Sequence, residues 1–552
     1  MSETAAAAPA GPTRMERMLD SIERIGNKVP NPVLMFLYLI AFIFVLSTVL
    51  EWIGVGVTET IAEPIPAETQ QIYYGGSLYE VTMAEEYRDQ QYEIKEVTIN
   101  VRGLLTLDGI QYIFTSFVNN FAGFSVVAVA FIAMMGAGAA EGAGMMDALI
   151  RKLVASAPRS LITFLIILVG GLSSVASDAG YLILIPLAAV AFMTLGRHPL
   201  AGLAAGFAGV AATFAVNIIP QPTDALITEI ANEAILLTGG ETITVLNNYY
   251  FGVVSLLVIC VVATILTEKV VEPRLGTWDR SLAGDTSDGA DNEMSAEAKA
   301  AEAKGLRYAL YGFLGTLAVV ALATAPPGAP LRHPETGDIL GATPFMDSLL
   351  FIIALFFLIA GICYGVGAGT VKSADDVIAA ITKTFNGMGG LILMFLMIAQ
   401  FIAYFNYSNL PPVIAIALAD MLESANIGAI ALMVGFIFVI LLLDFILPGA
   451  LPKWAIFAPI FIPVFARLDV APQTLLAAYR VGDSPVNTLT PLMVYFPFIV
   501  TVAQRYRKDV GIGTIISLMI PYAVVMGAIW IVLFVLWFVL GIPWGPGYPV
   551  GF

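Results

Sequence analysis

The sequence is poor in the residues from which most catalytic and metal sites are built. Across 552 residues there are two cysteines, Cys260 and Cys363, and two histidines, His198 and His333. Both cysteines fall in apolar runs, so neither a disulfide framework nor a Cys/His metal site is available. No Gly-x-x-x-x-Gly-Lys-Ser/Thr loop occurs, so a nucleotide-driven pump lacks its phosphate cradle. Charge is scarce too: 12% of residues are Asp, Glu, Lys or Arg, against roughly a quarter in soluble domains. No signal-peptide pattern opens the chain, where Arg14, Arg17, Arg24 and Lys28 precede the first apolar run. The net charge of −16 lies mostly in two hydrophilic loops. It reads as solvation and calls for no nucleic-acid partner.

What is abundant is apolar length. The chain is 58% hydrophobic, with a mean hydropathy of +0.85. Runs of about 20 apolar residues point to membrane-spanning α-helices rather than to a barrel of short alternating strands. The expected fold is an all-α polytopic membrane protein. It has about nine transmembrane helices near 33–54, 112–138, 199–217, 249–267, 306–324, 346–366, 388–421, 474–502 and 512–541. A basic N-terminal segment, 1–31, is placed on the cytoplasmic side by the positive-inside rule, and nine crossings leave the C-terminus periplasmic. Residues 56–111 then form an outer loop with ten Asp/Glu and three Lys/Arg, in which Tyr92 to Val101 alternates like an edge strand.

Two apolar stretches do not fit simple crossings. In the first half, 32–267, the segment 160–195 has short apolar limbs around Ser173-Ser174-Val175-Ala176-Ser177-Asp178. In the second half, 306–552, the segment 427–467 has its limbs around Pro448-Gly449-Ala450-Leu451-Pro452. Each reads as a re-entrant hairpin, and the intervening linker 268–305 reads as cytoplasmic and partly helical. After each hairpin comes a span broken by Pro or Gly, at Asn217–Asp224 and at Arg480–Asn487, and a further interruption falls at Asn406–Pro412. Hairpin then broken span, repeated with opposite orientation, is the inverted-repeat pattern of secondary transporters, which bind cargo near the midplane.

The charges at these breaks are the candidate chemistry. A carboxylate at mid-membrane costs roughly 3 kcal/mol or more unless it is neutralised or paired. Asp178 is therefore expected to hold a cation, take up a proton or face a basic group; if its tip reaches the interface, it merely caps a helix. Arg480 and Asp483 are close enough in sequence for an internal salt bridge. Alternatively the helix opens at Gly482 and Pro485. Asp483 and Asn487 then offer oxygens to Na⁺, and Arg480 is free for a substrate carboxylate. Trp454 is either an interface anchor or a stacking surface, and Asp444 is a candidate partner for Lys453. Asn217, Thr223 and Asp224 are the first half's counterparts. A rival reading, an intramembrane aspartyl hydrolase, pairs Asp178 with Asp483.

Several stretches together carry a family resemblance. They include Ser177-Asp178-Ala179-Gly180-Tyr181, Gly196-Arg197-His198-Pro199-Leu200, Ala399-Gln400-Phe401-Ile402-Ala403-Tyr404-Phe405-Asn406, Lys453-Trp454-Ala455 and Gly482-Asp483-Ser484. With these the chain resembles the aminobenzoyl-glutamate transporter (AbgT) family over nearly its whole length. The resemblance implies a homodimer of nine-span protomers in the inner membrane. It also implies a small-molecule substrate, p-aminobenzoyl-glutamate, or proton-driven export of sulfonamide-type antimetabolites, with no cofactor beyond H⁺ or Na⁺ as coupling ion. By position it implies functional roles for Asp178, Trp454, Pro472, Arg480, Asp483, Asn487 and Pro491. One departure is evident: the hydroxyl that the family often carries near position 451 is replaced by Leu451.

Overall fold

The computed structural model describes residues 32–64, 70–74, 77–81, 92–174, 180–236, 239–279, 281, 295–340, 343–424 and 428–551. The N-terminal segment 1–31, Asp178 and the centre of the 268–305 linker lie outside the described residues. Among the described residues the regular structure is helical apart from the strands within 56–100. The first-half helices are α1 (Pro32–Ile53), α2 (Leu107–Ala122), α3 (Val126–Gly142), α4 (Met145–Ala155), α5 (Ile162–Ser173), α6 (Ile185–Thr194), α7 (Pro199–Ala211), α8 (Pro222–Leu236) and α9 (Tyr249–Leu266). The second half contributes α10 (Ala296–Thr324), α11 (Leu349–Ala368), α12 (Ala374–Gly387), α13 (Gly389–Tyr407), α14 (Leu410–Ser424), α15 (Ala429–Asp444), α16 (Ala450–Ala466), α17 (Pro472–Asp483), α18 (Phe496–Tyr506) and α19 (Ile512–Val539).

Among the described residues, seven helical stretches are long and apolar enough to cross a bilayer. One of the seven, Leu107–Gly142, is itself divided into α2 and α3, and the expected spans 199–217 and 474–502 fall on the shorter helices α7 and α17 with α18. The hairpin limbs are shorter. At 1.5 Å per residue, the 12 residues of α5 reach about 18 Å, well under the roughly 30 Å hydrocarbon core. In the outer loop, β1 (Gly56–Pro64) pairs antiparallel with β4 (Tyr92–Asn100), the strand that the alternation announced. A second ladder joins β2 (Gln70–Tyr74) to β3 (Ser77–Val81).

Three boundaries differ from expectation, each for a local reason. Helix α10 starts about ten residues before the apolar run, because Ala296-Glu297-Ala298-Lys299-Ala300-Ala301-Glu302-Ala303-Lys304 consists of strong helix formers. Its N-cap is Ser295, whose side chain accepts from the Ala298 N–H. The second hairpin tip is shorter than read: Ala450, Leu451 and Pro452 already belong to the first turn of α16, where a proline costs no hydrogen bond. The reversal is concentrated at Gly449, whose φ of +112° a side chain would oppose. The amphipathic α12, opened by a Ser373–Asp376 capping box, was not anticipated.

Each hairpin packs on the broken span that follows it. Both limbs, α5 and α6, lie along α7, and α15 lies along α17, while α16 crosses to α8 of the other half. Small residues permit the closest approaches. A Cβ on Gly170 would stand 2.5 Å from the Gly209 carbonyl carbon, so α5 and α7 touch backbone to backbone. Likewise a Cβ on Gly482 would meet the Ile440 Cβ at 2.7 Å, seating α17 on α15. Small-residue contacts of this kind are how helices associate in lipid, where apolar burial offers little drive. Gly170→Ala is expected to cost about 1–3 kcal/mol by overpacking, read as a lower thermal midpoint of the detergent-solubilised protein. An unchanged midpoint would exclude the α5–α7 contact.

Candidate functional site

Breaking a helix leaves backbone groups without partners, and in an apolar interior each of them must be satisfied. Helix α7 ends at Ala211, and the irregular segment that follows carries Ala215, whose neighbours cannot supply both its bonds. Residues beside the other broken span do so. The Ser484 hydroxyl accepts from the Ala215 N–H at 3.0 Å, and Arg480 Nη1 donates to the Ala215 carbonyl at 2.9 Å. The two interrupted spans therefore meet, and each completes the other.

Arg480 is buried, 5% exposed, so its charge needs a counter-ion. It finds one in Asp224, in the first turn of α8, through an ion pair from Nη1 to Oδ1. The other Asp224 oxygen accepts the Gln221 N–H at 3.0 Å, and Gln221 Nε2 donates to the Phe214 carbonyl at 2.9 Å. An Arg480–Asp483 bridge, one of the sequence alternatives, does not form. The break is also tied to the first hairpin. Asn217 Nδ2 donates to the Gly171 carbonyl and to the Ser174 hydroxyl, both at 3.0 Å, next to the hairpin tip. Ser173 and Ser174 themselves bond back to the carbonyls of Gly170 and Gly171.

Asp483 belongs to a second charge group. Lys453 Nζ stands 2.7 Å from Asp483 Oδ1 and also pairs with Asp444 Oδ1. The three side chains come from α17, α16 and α15, with exposures of 1%, 0% and 0%. The expected Asp444–Lys453 pair is thus present, with Asp483 as an unexpected third member. Asn487 does not turn its amide to a shared cation. Its Nδ2 donates to the Asp483 backbone carbonyl at 3.1 Å, closing the turn that opens beyond α17. The cation beside Asp483 is the Lys453 ammonium, which corrects the Asp483–Asn487 ion site read from the sequence.

Trp454 is wholly buried. Its indole N–H donates to the Ile227 carbonyl of α8 at 2.9 Å, and its ring lies 4.6 Å from that of Tyr479. Tyr479 in turn donates to the Ala450 carbonyl at 2.6 Å, fastening the second hairpin tip to α17. In this conformation Trp454 is neither an interface anchor nor an open platform. Pro472 starts α17, about 12 Å along the helix from Arg480, and Pro491 follows Thr490, whose hydroxyl donates to the Phe445 carbonyl at 3.0 Å. Pro472 thus opens the broken span, and Pro491 lies inside it, between the turn Pro485–Thr488 and α18. Asp178 lies outside the described residues.

Sequence reading missed the cross-half pairing of Arg480 with Asp224, although both residues were singled out at their own breaks. A small cavity of about 20 Å³ opens between them, lined by Ala215, Asn217, Asp224, Asn248, Tyr249 and Arg480. It holds about one water molecule. Two of its lining residues have a buried polar atom without a protein partner, Arg480 Nε and Asn248 Oδ1. It is a small pocket beside the ion pair, with spare hydrogen-bonding capacity on Arg480 and Asn248.

Trp454 can be separated into its structural parts by substitution. Trp454→Ala is expected to cost about 3–5 kcal/mol of stability. Trp454→Phe keeps a ring against Tyr479 and loses about 0.5–1.5 kcal/mol with the Ile227 bond. Thermal unfolding in detergent measures both, and equal losses would deny the ring contact its share.

The comparisons with known proteins agree with this architecture. The family model described as "AbgT putative transporter family" matches residues 17–552. A p-aminobenzoyl-glutamate transport protein of Escherichia coli (strain K12) is 30% identical over 530 residues, 96% of each chain. Among solved structures, the Alcanivorax borkumensis YdaH transporter is similar at TM-score 0.80 and 33% identity, over 94% of this chain and all of that one. Neisseria gonorrhoeae MtrF, described as illuminating a class of antimetabolite efflux pumps, is similar at TM-score 0.83 and 35% identity, over 97% of this chain and all of that one. These relatives are transport proteins, so the aspartyl hydrolase reading is set aside, in keeping with Asp483 taking Lys453 as its partner. This chain is a multi-pass membrane transporter and belongs to the AbgT family.

Proposed function

We propose that the protein is an ion-coupled secondary transporter of p-aminobenzoyl-glutamate and related aryl amines, sulfonamide-type antimetabolites included. It works as a homodimer in the inner membrane, with its N-terminus cytoplasmic and its C-terminus periplasmic. The observation that carries this reading is Arg480, a buried guanidinium at the meeting point of two broken spans, held by the carboxylate of Asp224. A planar guanidinium is suited to a carboxylate, and a glutamyl substrate brings two. One of these would replace Asp224 on Arg480, in the same pairing, so the internal ion pair stands where substrate is exchanged.

The chamber of about 20 Å³ is far too small for such a ligand. Binding would therefore require this region to open, with the second hairpin drawing back from α8 and α17. That movement would uncover Trp454 and Tyr479, whose adjoining rings offer an aromatic surface to an aryl amine. Pro472 at the start of α17 and Pro491 between α17 and α18 would bound the part that moves. Asp178 and Asp483, the carboxylates that the sequence carries into the two halves, would be the groups that answer to the coupling ion. Import and export would use the same groove. The named relatives support the substrate class: one is a p-aminobenzoyl-glutamate transport protein, and another is described among antimetabolite efflux pumps.

Purified protein in liposomes tests this directly. Labelled p-aminobenzoyl-glutamate is expected to accumulate against its gradient when H⁺ or Na⁺ is imposed. No gradient-dependent flux of either that compound or a sulfonamide would overturn the reading. Arg480→Lys removes the fork that holds a carboxylate. A charge-assisted bond is worth about 1.5–3 kcal/mol, so KM is expected to rise about tenfold to a hundredfold with exchange still measurable. Asp224→Asn removes the internal competitor and is expected to lower KM, opposite in sign to Arg480→Lys. A shift in the same direction would place substrate elsewhere.

A further inference from the structure

The Asp444–Lys453–Asp483 group is buried out of reach of solvent and does not balance its charge. One ammonium faces two carboxylates, and each carboxylate has its second oxygen, Oδ2, without a hydrogen-bond partner. The surroundings supply no further cation among the described residues. On α15 Asp444 is the sole titratable residue, and on α16 Lys453 is. On α17 the others are Tyr479, whose hydroxyl lies 3.4 Å from Asp483 Oδ1 but donates to Ala450, and Arg480, which is engaged by Asp224. On α8, Glu229 and Glu233 both turn to the Ser125 hydroxyl instead. With all three members ionised, the group would carry a net negative charge in an interior that penalises one heavily.

We infer that Asp444, Lys453 and Asp483 form one proton-binding group, in which a single proton taken by the carboxylate pair neutralises the closed state. The Lys453 ammonium is its fixed internal cation. A metal ion on Asp483 Oδ1 would have to sit beside that ammonium, 2.7 Å from the same oxygen, against direct charge repulsion. The two free Oδ2 atoms are too few oxygens to coordinate Na⁺, and no cluster of three or more metal-binding side chains occurs among the described residues. One oxygen suffices for a proton, so the group takes H⁺ and not Na⁺. Asp444 is its essential second carboxylate, because Lys453 with Asp483 alone is a neutral pair that needs no proton. When the second hairpin withdraws, water reaches the orphan oxygens and the proton leaves to it, with no other atom transferred. Coupling follows from placement, since Asp483 and Arg480 share α17 and any shift that serves substrate at one moves the other. This deepens the transport reading above and rests on it for the coupling, although the protonation itself does not depend on the substrate.

The test uses the full-length protein in two assays. Infrared spectroscopy of detergent-purified protein is expected to show, near neutral pH, a protonated-carboxyl band that Asp444→Asn lacks and Asp444→Glu regains. The same band in Asp444→Asn would overturn the inference, whatever the substrate is. In liposomes, p-aminobenzoyl-glutamate accumulation should follow a pH gradient and stay the same when choline replaces Na⁺. Dependence on Na⁺ would overturn the inference. With Asp444→Asn, the ratio of gradient-driven accumulation to exchange should fall at least about tenfold, one pKa unit's worth of coupling. Lys453→Gln removes the neighbouring positive charge, so the carboxylates hold the proton more tightly and the pH profile should move up by about one unit or more. No upward shift would overturn the assignment even if Asp444→Asn fails to fold. Exchange missing in the wild type would instead count against the substrate reading, leaving the infrared result to decide the proton group.

Discussion

Residue Ala215 shows what the site depends on. Its N–H and C=O have been released by the end of a helix inside the protein, where no water competes to satisfy them. The partners come from the opposite half of the chain, as a hydroxyl from Ser484 and a guanidinium from Arg480. Satisfying one small residue thus fastens the two halves at their weakest points. The same logic extends outward: Asn217 ties the first break to the first hairpin, and Thr490, Tyr479 and Lys453 tie the second break to the second hairpin. Hairpin, break, break and hairpin form one continuous hydrogen-bonded line.

Such a line suits a transporter because its members are polar and its setting is apolar. Each bond is strong while the interior is dry and exchangeable once water or substrate enters. Arg480–Asp224 is a balanced pair, whereas Asp444–Lys453–Asp483 sets two carboxylates against one ammonium. Both groups draw a member from the one short helix α17, so a shift of that helix would disturb them together.

Much of this was legible from residue patterns alone. Apolar run lengths separate crossing helices from the short limbs of 160–195 and 427–467, since length in a bilayer is a plain geometric requirement. Pro, Gly and Asn marked the breaks, and at Asn409 the backbone takes the positive φ of 56° that such a residue tolerates. The pairing of Asp444 with Lys453 could be anticipated because each needs the other across a tight tip. The Arg480–Asp224 pair could not, because 256 residues separate them and either charge might have found a partner nearer in sequence. Nor could the role of Asn487, whose oxygen-rich neighbourhood reads as an ion site until its amide is seen bonded to a carbonyl.

The sequence by itself determined the class of protein, the number and length of its apolar segments, the two places where each half breaks, and which residues carry charge into the interior. Those follow from hydropathy, helix geometry and backbone chemistry, which act locally. Only the tertiary structure decided which charge meets which, that Trp454 is sealed against α8 and Tyr479, and that Lys453 serves two carboxylates at once. Those outcomes depend on the approach of helices remote in sequence, set by glycine contacts and backbone groups left open at the breaks. No local rule encodes that approach, because the free energy that selects it belongs to both partners together.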